Sequence, residues 1–207
     1  MTAAVVLGVI VNIVIDQCGA PSPAQCQLAV TEMANIWRDA GVEVVSRRTD
    51  ELASRNEASV SLRIVTFSIN GRAGGKPILG WAAVETDGRM MPVVFVSLPA
   101  VRLALEHADV GGIPFKRLTS DLRSQLTARA IGRIAAHELG HYLLGRAGHR
   151  KTGLMRPSYA VRDLTGAWLG PFRVADDERS SAVAEIVALA TVQHATTQST
   201  RRVVEPR

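Results

Sequence analysis

Two histidines four residues apart, with a glutamate directly after the first, constrain this chain more than any other feature. His137, Glu138 and His141 read H-E-x-x-H inside the stretch HELGHYLLGRAGHRKTGLM, His137 to Met155. At about 3.6 residues per helical turn, side chains four apart lie one above the other on one face, so both imidazoles can reach a single metal ion. Zinc held by histidine nitrogens with one position open lowers the pKa of its water towards about 7. Glu138, beside the first ligand, is placed to take that water's proton and hand it to a leaving amine.

The motif needs a helix, and the sequence supplies one. Leu122, Leu126, Ala130, Ile134 and Ala135 recur at helical spacing from a start at Ser120-Asp121. A third ligand is within reach: Gly145 can end the helix in a left-handed turn, after which the chain reverses and brings His149 towards the metal. Two carboxylates compete for that position, Glu178 and Glu185, on a helix predicted from about Asp176 to Ala190. The plainer readings are that Glu178 favours a helix N-terminus and that Met155 is an ordinary core residue. His107 and His194 have no ligand spacing and read as surface or loop residues.

The stretch resembles the metzincin motif H-E-x-x-H-x-x-G-x-x-H followed by a Met-turn. Against the matrixin pattern, Gly145 comes one residue late and His149 two, while Gly153-Leu154-Met155 restores the overall distance to the methionine. It is also similar to a group of bacterial proteins carrying AHELGHxLLxxxxHxxxGLMR. The resemblance implies a metzincin-like α+β fold: a twisted mixed β-sheet, a long zinc-binding helix packed on it, and a small C-terminal subdomain with a Met-turn and a helix. It further implies that His137, His141 and His149 hold Zn2+, that Glu138 is the catalytic acid–base, and that Met155 forms an apolar floor. The competing arrangement, with Glu178 or Glu185 as third ligand, is that of the gluzincins. Tyr159, four residues past Met155, is open to two readings: an oxyanion-stabilising hydroxyl, as in some metzincins, or an ordinary half-buried tyrosine.

With 207 residues, 47% of them apolar, the chain can bury one sizeable core. One domain over residues 1–192 is expected, with a flexible tail over 193–207 rich in Thr, Gln, Ser and Arg. The basic residues are 21 Arg and 3 Lys, scattered from Arg38 onward, and the net charge is +5. Such scatter argues against nucleic-acid binding, and the Arg and Ala richness accords with a GC-rich bacterial genome. The apolar run from Ala3 to Ile15 is too short to span a membrane, lacks a positive start and reads as a strand. It leaves localisation undetermined, since export remains open if the true start lies upstream. Cys18 and Cys26 make no zinc motif; a small disulfide and two free thiols both stay open.

Along the chain, a first strand is followed by a helix from Ser22-Pro23 to Trp37–Ala40, with Leu28, Met33, Ile36 and Trp37 as its buried side and Gly41 as its stop. Strands are expected at Val42–Val45 and around Val60, Leu62, Ile64 and Thr66, with loops over 49–58 and 70–77. Leu79–Glu85 and Met90–Leu98 flank Asp87-Gly88 as a hairpin. The motif helix then follows.

These readings converge on a zinc-dependent endopeptidase acting on a peptide or protein substrate, expected to be a monomer with no membrane span. An extended substrate would pair with a sheet edge, either Met90–Leu98, where Pro92 suits an edge, or its hairpin partner. The rivals are a gluzincin-type zinc hydrolase, a zinc-binding protein without turnover, and an immunity- or inhibitor-type protein on a degenerate protease fold.

Overall fold

The computed structural model describes residues 9–18, 21–47, 59–65, 72–73, 76–145 and 148–188. Its main sheet has the order β2-β1-β3-β7-β6. The strands are β1 (Val9–Cys18), β2 (Val42–Arg47), β3 (Ser59–Val65), β6 (Gly80–Val84) and β7 (Met90–Ser97). The first three and β7 run parallel, and β6 turns back antiparallel on β7. A parallel pair needs a crossover, which α1 (Pro23–Arg38) provides between β1 and β2. Val11 to Val14 are all buried, as befits a central strand covered on both faces.

Local chemistry sets the helix ends. Ser22 and Gln25 form a reciprocal capping box at the start of α1, with bonds of 3.3 and 2.9 Å. The buried stripe of α1 is Cys26, Ala29, Val30, Met33, Ile36 and Trp37, a run of three- and four-residue steps. Leu28 falls off that stripe and is 47% exposed, so its expected place in the core is corrected. Cys26 is disulfide-bonded, the first of the two cysteine states left open by sequence.

The hairpin forms where expected, Gly80–Val84 against Met90–Ser97. It fixes the edge: β7 is flanked by β3 and β6, so among the described residues the edge is β6 and not the Met90–Leu98 segment. Pro92 is tolerated within β7 because β3 pairs only from Val93 onward and the β6 register shifts between Ala82 and Val84. Within the expected 70–77 loop, Arg72–Ala73 (β4) and Lys76–Pro77 (β5) pair as a two-residue ladder, too short to leave an alternating pattern.

One helix was not expected. α2 (Leu98–Glu106) begins directly at the end of β7, where Ser97 Oγ accepts from Ala100 N–H and Pro99 occupies the first turn. The apolar run of the strand continues straight into this helix, which hid the boundary. A small hairpin, β8 (Asp109–Val110) and β9 (Ile113–Pro114), and a 3-10 turn at Phe115–Arg117 lead to α3 (Ser120–Leu143). Thr119 caps α3 by accepting from Leu122 N–H at 3.3 Å, while Leu122 itself is exposed.

α3 is buried almost throughout from Leu126 to Leu143 and packs against α1, β6 and β7. Trp37 of α1, fully buried, donates its indole N–H to the Ala136 carbonyl at 3.1 Å. Arg133, buried on α3, pairs with Glu32 of α1 at 2.7 Å, donates to the Asp163 carbonyl and lies over the Phe172 ring. That residue ties α1 and α3 to the C-terminal segment: α4 (Val161–Thr165), a 3-10 turn at Gly170–Phe172, and α5 over 176–188. Among the described residues no helix is long and apolar enough to cross a membrane. The expected 49–58 loop, the expected extension of the last helix over 189–190 and the expected tail over 193–207 lie outside the described residues.

Candidate metal centre

The last two turns of α3 carry His137 and His141, both buried, with their Nε2 atoms 3.1 Å apart. Two nitrogens each about 2.0–2.1 Å from one ion at a tetrahedral angle would stand about 3.3 Å apart, so this spacing fits a shared cation. α3 ends at Leu143, and Gly145 just beyond it has a φ of 56°, the left-handed conformation that costs glycine no side-chain clash. Beyond it the chain returns His149 to the pair, its ring centroid 5.3 Å from that of His137 and 4.9 Å from that of His141. One nitrogen from each of the three imidazoles lies within 4.8 Å of the others, close enough to bind one metal ion. His149 is the exposed member, so the cluster is reached from its side.

The segment after His149 aims the first imidazole. His137 Nδ1–H donates to the Leu154 carbonyl at 2.7 Å, which leaves the Nε2 lone pair facing the cluster. That carbonyl is held by its own turn: Leu154 N–H donates to Arg173 O at 2.9 Å and Arg150 N–H to Met155 O at 2.7 Å. Tyr159 donates its hydroxyl to the same Leu154 carbonyl, and its ring lies between Phe172, at 4.6 Å, and the Arg156 guanidinium, at 4.3 Å. Met155 is buried with its sulfur against Gly140 of α3. Burial pulls the His137 pKa down to about 4, and it lowers that of His149 as well. Both shifts favour the neutral form that coordinates metals.

Glu138 turns to the sheet side of the same helix. It is buried against Gly80 of β6, and the Ala82 backbone N–H bonds its carboxylate. Burial pushes its pKa up to about 8 against that bond's opposing pull. A cavity of about 790 Å³ opens over Glu138 and the three histidines, walled by apolar side chains including Trp81 and Met90 of the hairpin, Leu103 of α2 and Leu164 of α4.

Neither rival carboxylate joins the cluster. Glu178 is buried at the start of α5, where it pairs with Arg150 at 2.9 Å and accepts from Ala175 N–H at 3.1 Å. Glu185 is exposed on α5. Three participants escaped sequence reading: the Leu154 carbonyl, whose side chain gives no hint of its backbone's role; Arg150, which draws Glu178 away; and His107. The last was expected on the surface; it is exposed at the end of α2, yet it lines the cavity. His194 lies outside the described residues.

No protein-family model and no curated protein matches the chain. Among solved structures, the chain is similar to archaemetzincin from Methanopyrus kandleri. The two share 13% sequence identity at a TM-score of 0.49, over 90% of this chain and 99% of that one.

Proposed function

We propose that this protein is a zinc-dependent metalloendopeptidase, with His137, His141 and His149 as the metal ligands and Glu138 as general base and then acid. The observation that carries the reading is the convergence of three imidazoles beside a buried carboxyl in one apolar cavity at a sheet edge. A purely structural zinc site has no use for such a carboxyl, and a solvated helix face would not bury it.

Zinc in this site would supply a Lewis acid that activates water and polarises the scissile carbonyl. The rest is done by the chain. Glu138, buried beside the imidazoles with the Ala82 N–H on its carboxylate, is placed to take a proton from a water in the site and return it to a leaving amine. The side of β6 that pairs with no strand among the described residues would accept an extended peptide by main-chain pairing, which gives affinity with little sequence demand. The cavity walls receive an apolar side chain and exclude water. Leu154 and Tyr159 orient His137, and Met155 packs beneath the helix that carries the ligands. In this arrangement the chain works as a metzincin with a longer turn before its third histidine.

The test is cleavage of an unstructured casein-like substrate by zinc-loaded protein, with and without chelator, beside the Glu138→Gln variant. Cleavage should stop with chelator, return with zinc, and fall by about two to four orders of magnitude in the variant with zinc retained. Cleavage indifferent to chelator, or equal in the variant, contradicts the proposal.

A further inference from the structure

A second cleft lies on the other side of the α2 C-terminus from the metal centre, with a volume of about 570 Å³. Its character is opposite to that of the apolar cavity. Arg102 from α2, Lys116 from the 3-10 turn and Arg123 from α3 line it, against a single carboxylate, Glu106. All three cations are exposed, and none has an ion-pair or hydrogen-bond partner for its side chain among the described residues. The other contributors from α3, Ser120, Ser124 and Thr127, recur with Arg123 at helical spacing, so one face of α3 forms the floor.

His107 joins the two spaces, lining the apolar cavity on one side and the basic cleft on the other. Along α2 the residues divide accordingly: Leu103 and Ala104 face the metal centre, whereas Arg102 and Glu106 face the cleft. A polypeptide that crosses the metal centre and runs past His107 would meet these three exposed cations. Exposed cations of this kind raise the local concentration of an anionic partner and fix its register more than they add raw affinity.

We propose that this cleft is an exosite for an acidic segment of the substrate, so that the enzyme prefers polypeptides with a run of Asp or Glu to one side of the cleaved bond. The proposal rests on the peptidase reading above. A carboxylate-bearing chain fits better than a nucleic acid, because the three cations share one bounded cleft with Glu106 instead of forming a stripe that could follow a phosphate backbone.

The test uses peptides with one common cleavable core, extended on either side by a run of Glu or, as control, a run of Gln. The zinc-loaded protein should cleave one Glu-extended peptide about tenfold faster in kcat/KM than its Gln counterpart, with the advantage shrinking as salt is added. The triple variant Arg102→Gln, Lys116→Gln, Arg123→Gln should lose that advantage while cleaving the Gln peptides as before. The corresponding triple change to Glu should favour a Lys-extended peptide. Equal cleavage of Glu and Gln peptides, or an advantage that survives the triple variant, overturns the exosite. Anisotropy of the labelled peptides on Glu138→Gln protein reads the cleft without turnover. If no peptide is cleaved but the Glu peptide binds and the triple variant releases it, the peptidase reading fails and the cleft stands; equal binding of Glu and Gln peptides removes the cleft.

Discussion

The sulfur of Met155 occupies the space that a side chain at Gly140 would need. A Cβ on Gly140 would collide with Sδ, so the turn carrying Met155 and Leu154 docks on α3 where glycine leaves room for that sulfur. Gly140 lies immediately before His141, and Leu154 receives the His137 N–H. One short segment thus both packs on α3 and orients the His137 ring.

Gly140→Ala should therefore act on both. Overpacking of a filled core costs about 1–3 kcal/mol, and displacing Met155 carries the Leu154 carbonyl with it. Denaturant unfolding should show lower stability together with weaker zinc binding. Met155→Leu should cost less than about 1.5 kcal/mol, and Met155→Ala about 2–5 kcal/mol. A Gly140→Ala protein with unchanged stability and zinc affinity would mean that the turn does not depend on this contact.

Tyr159→Phe separates a supporting hydroxyl from a catalytic one. The hydroxyl donates to the Leu154 carbonyl, one bond away from His137, so its removal should weaken zinc binding by about tenfold, the low end for groups that act through a ligand. Cleavage at saturating zinc should be little changed. A fall in kcat of about 10²–10³ with zinc affinity intact would instead mark an oxyanion donor.

Glu138 makes the metal-free protein sensitive to pH in a direction that can be worked out. Its folded pKa, about 8, lies above the ordinary 4.5, so the stability of the neutral buried carboxyl is complete below about 4.5 and is lost as pH rises through 8. His137, at about 4 against 6.5, works in reverse: its contribution is present above 6.5 and lost as pH falls towards 4. In chelator, Glu138→Gln should melt higher than the wild type, by a margin that grows between pH 5 and pH 8 and then levels off, reaching the order of a few kcal/mol. Thermal melts across that range would show it. A margin independent of pH would mean that the carboxyl ionises freely in the folded protein.

Glu178 and Glu185 should be dispensable for zinc. Glu178→Ala removes the bond to Ala175 N–H and one of the two carboxylates paired with Arg150, the other being Asp177, and should cost about 1 kcal/mol or more of stability while leaving metal content intact. Glu185→Ala should do neither. Loss of zinc from either variant, measured by metal analysis, would return the third ligand to the carboxylates.

Much of this could be read from sequence because short-range physics decided it. The α3 helix, the stop at Gly145 and the hairpin at Asp87-Gly88 follow from periodicity and turn chemistry, which act within a few residues. The convergence of His149 on the pair was anticipated because only seven residues separate His141 from His149. The start of α2 was hidden, since its apolar residues continue those of β7 without a break. Strand order was equally hidden: whether β6 or β7 forms the edge depends on where β3 docks, a contact between segments some thirty residues apart. The fate of Glu178 turned on Arg150, a pairing across the return loop that no local pattern announces.

The central claim, that three imidazoles from α3 and its return turn share one zinc beside Glu138, is tested most directly by X-ray absorption at the zinc edge on protein loaded with one equivalent of zinc. The account predicts three histidine nitrogens at about 2.0–2.1 Å with the outer-shell scattering of imidazole rings, and a set reduced to two on His149→Ala. A spectrum with two histidines and a protein carboxylate, unchanged by His149→Ala, would contradict it.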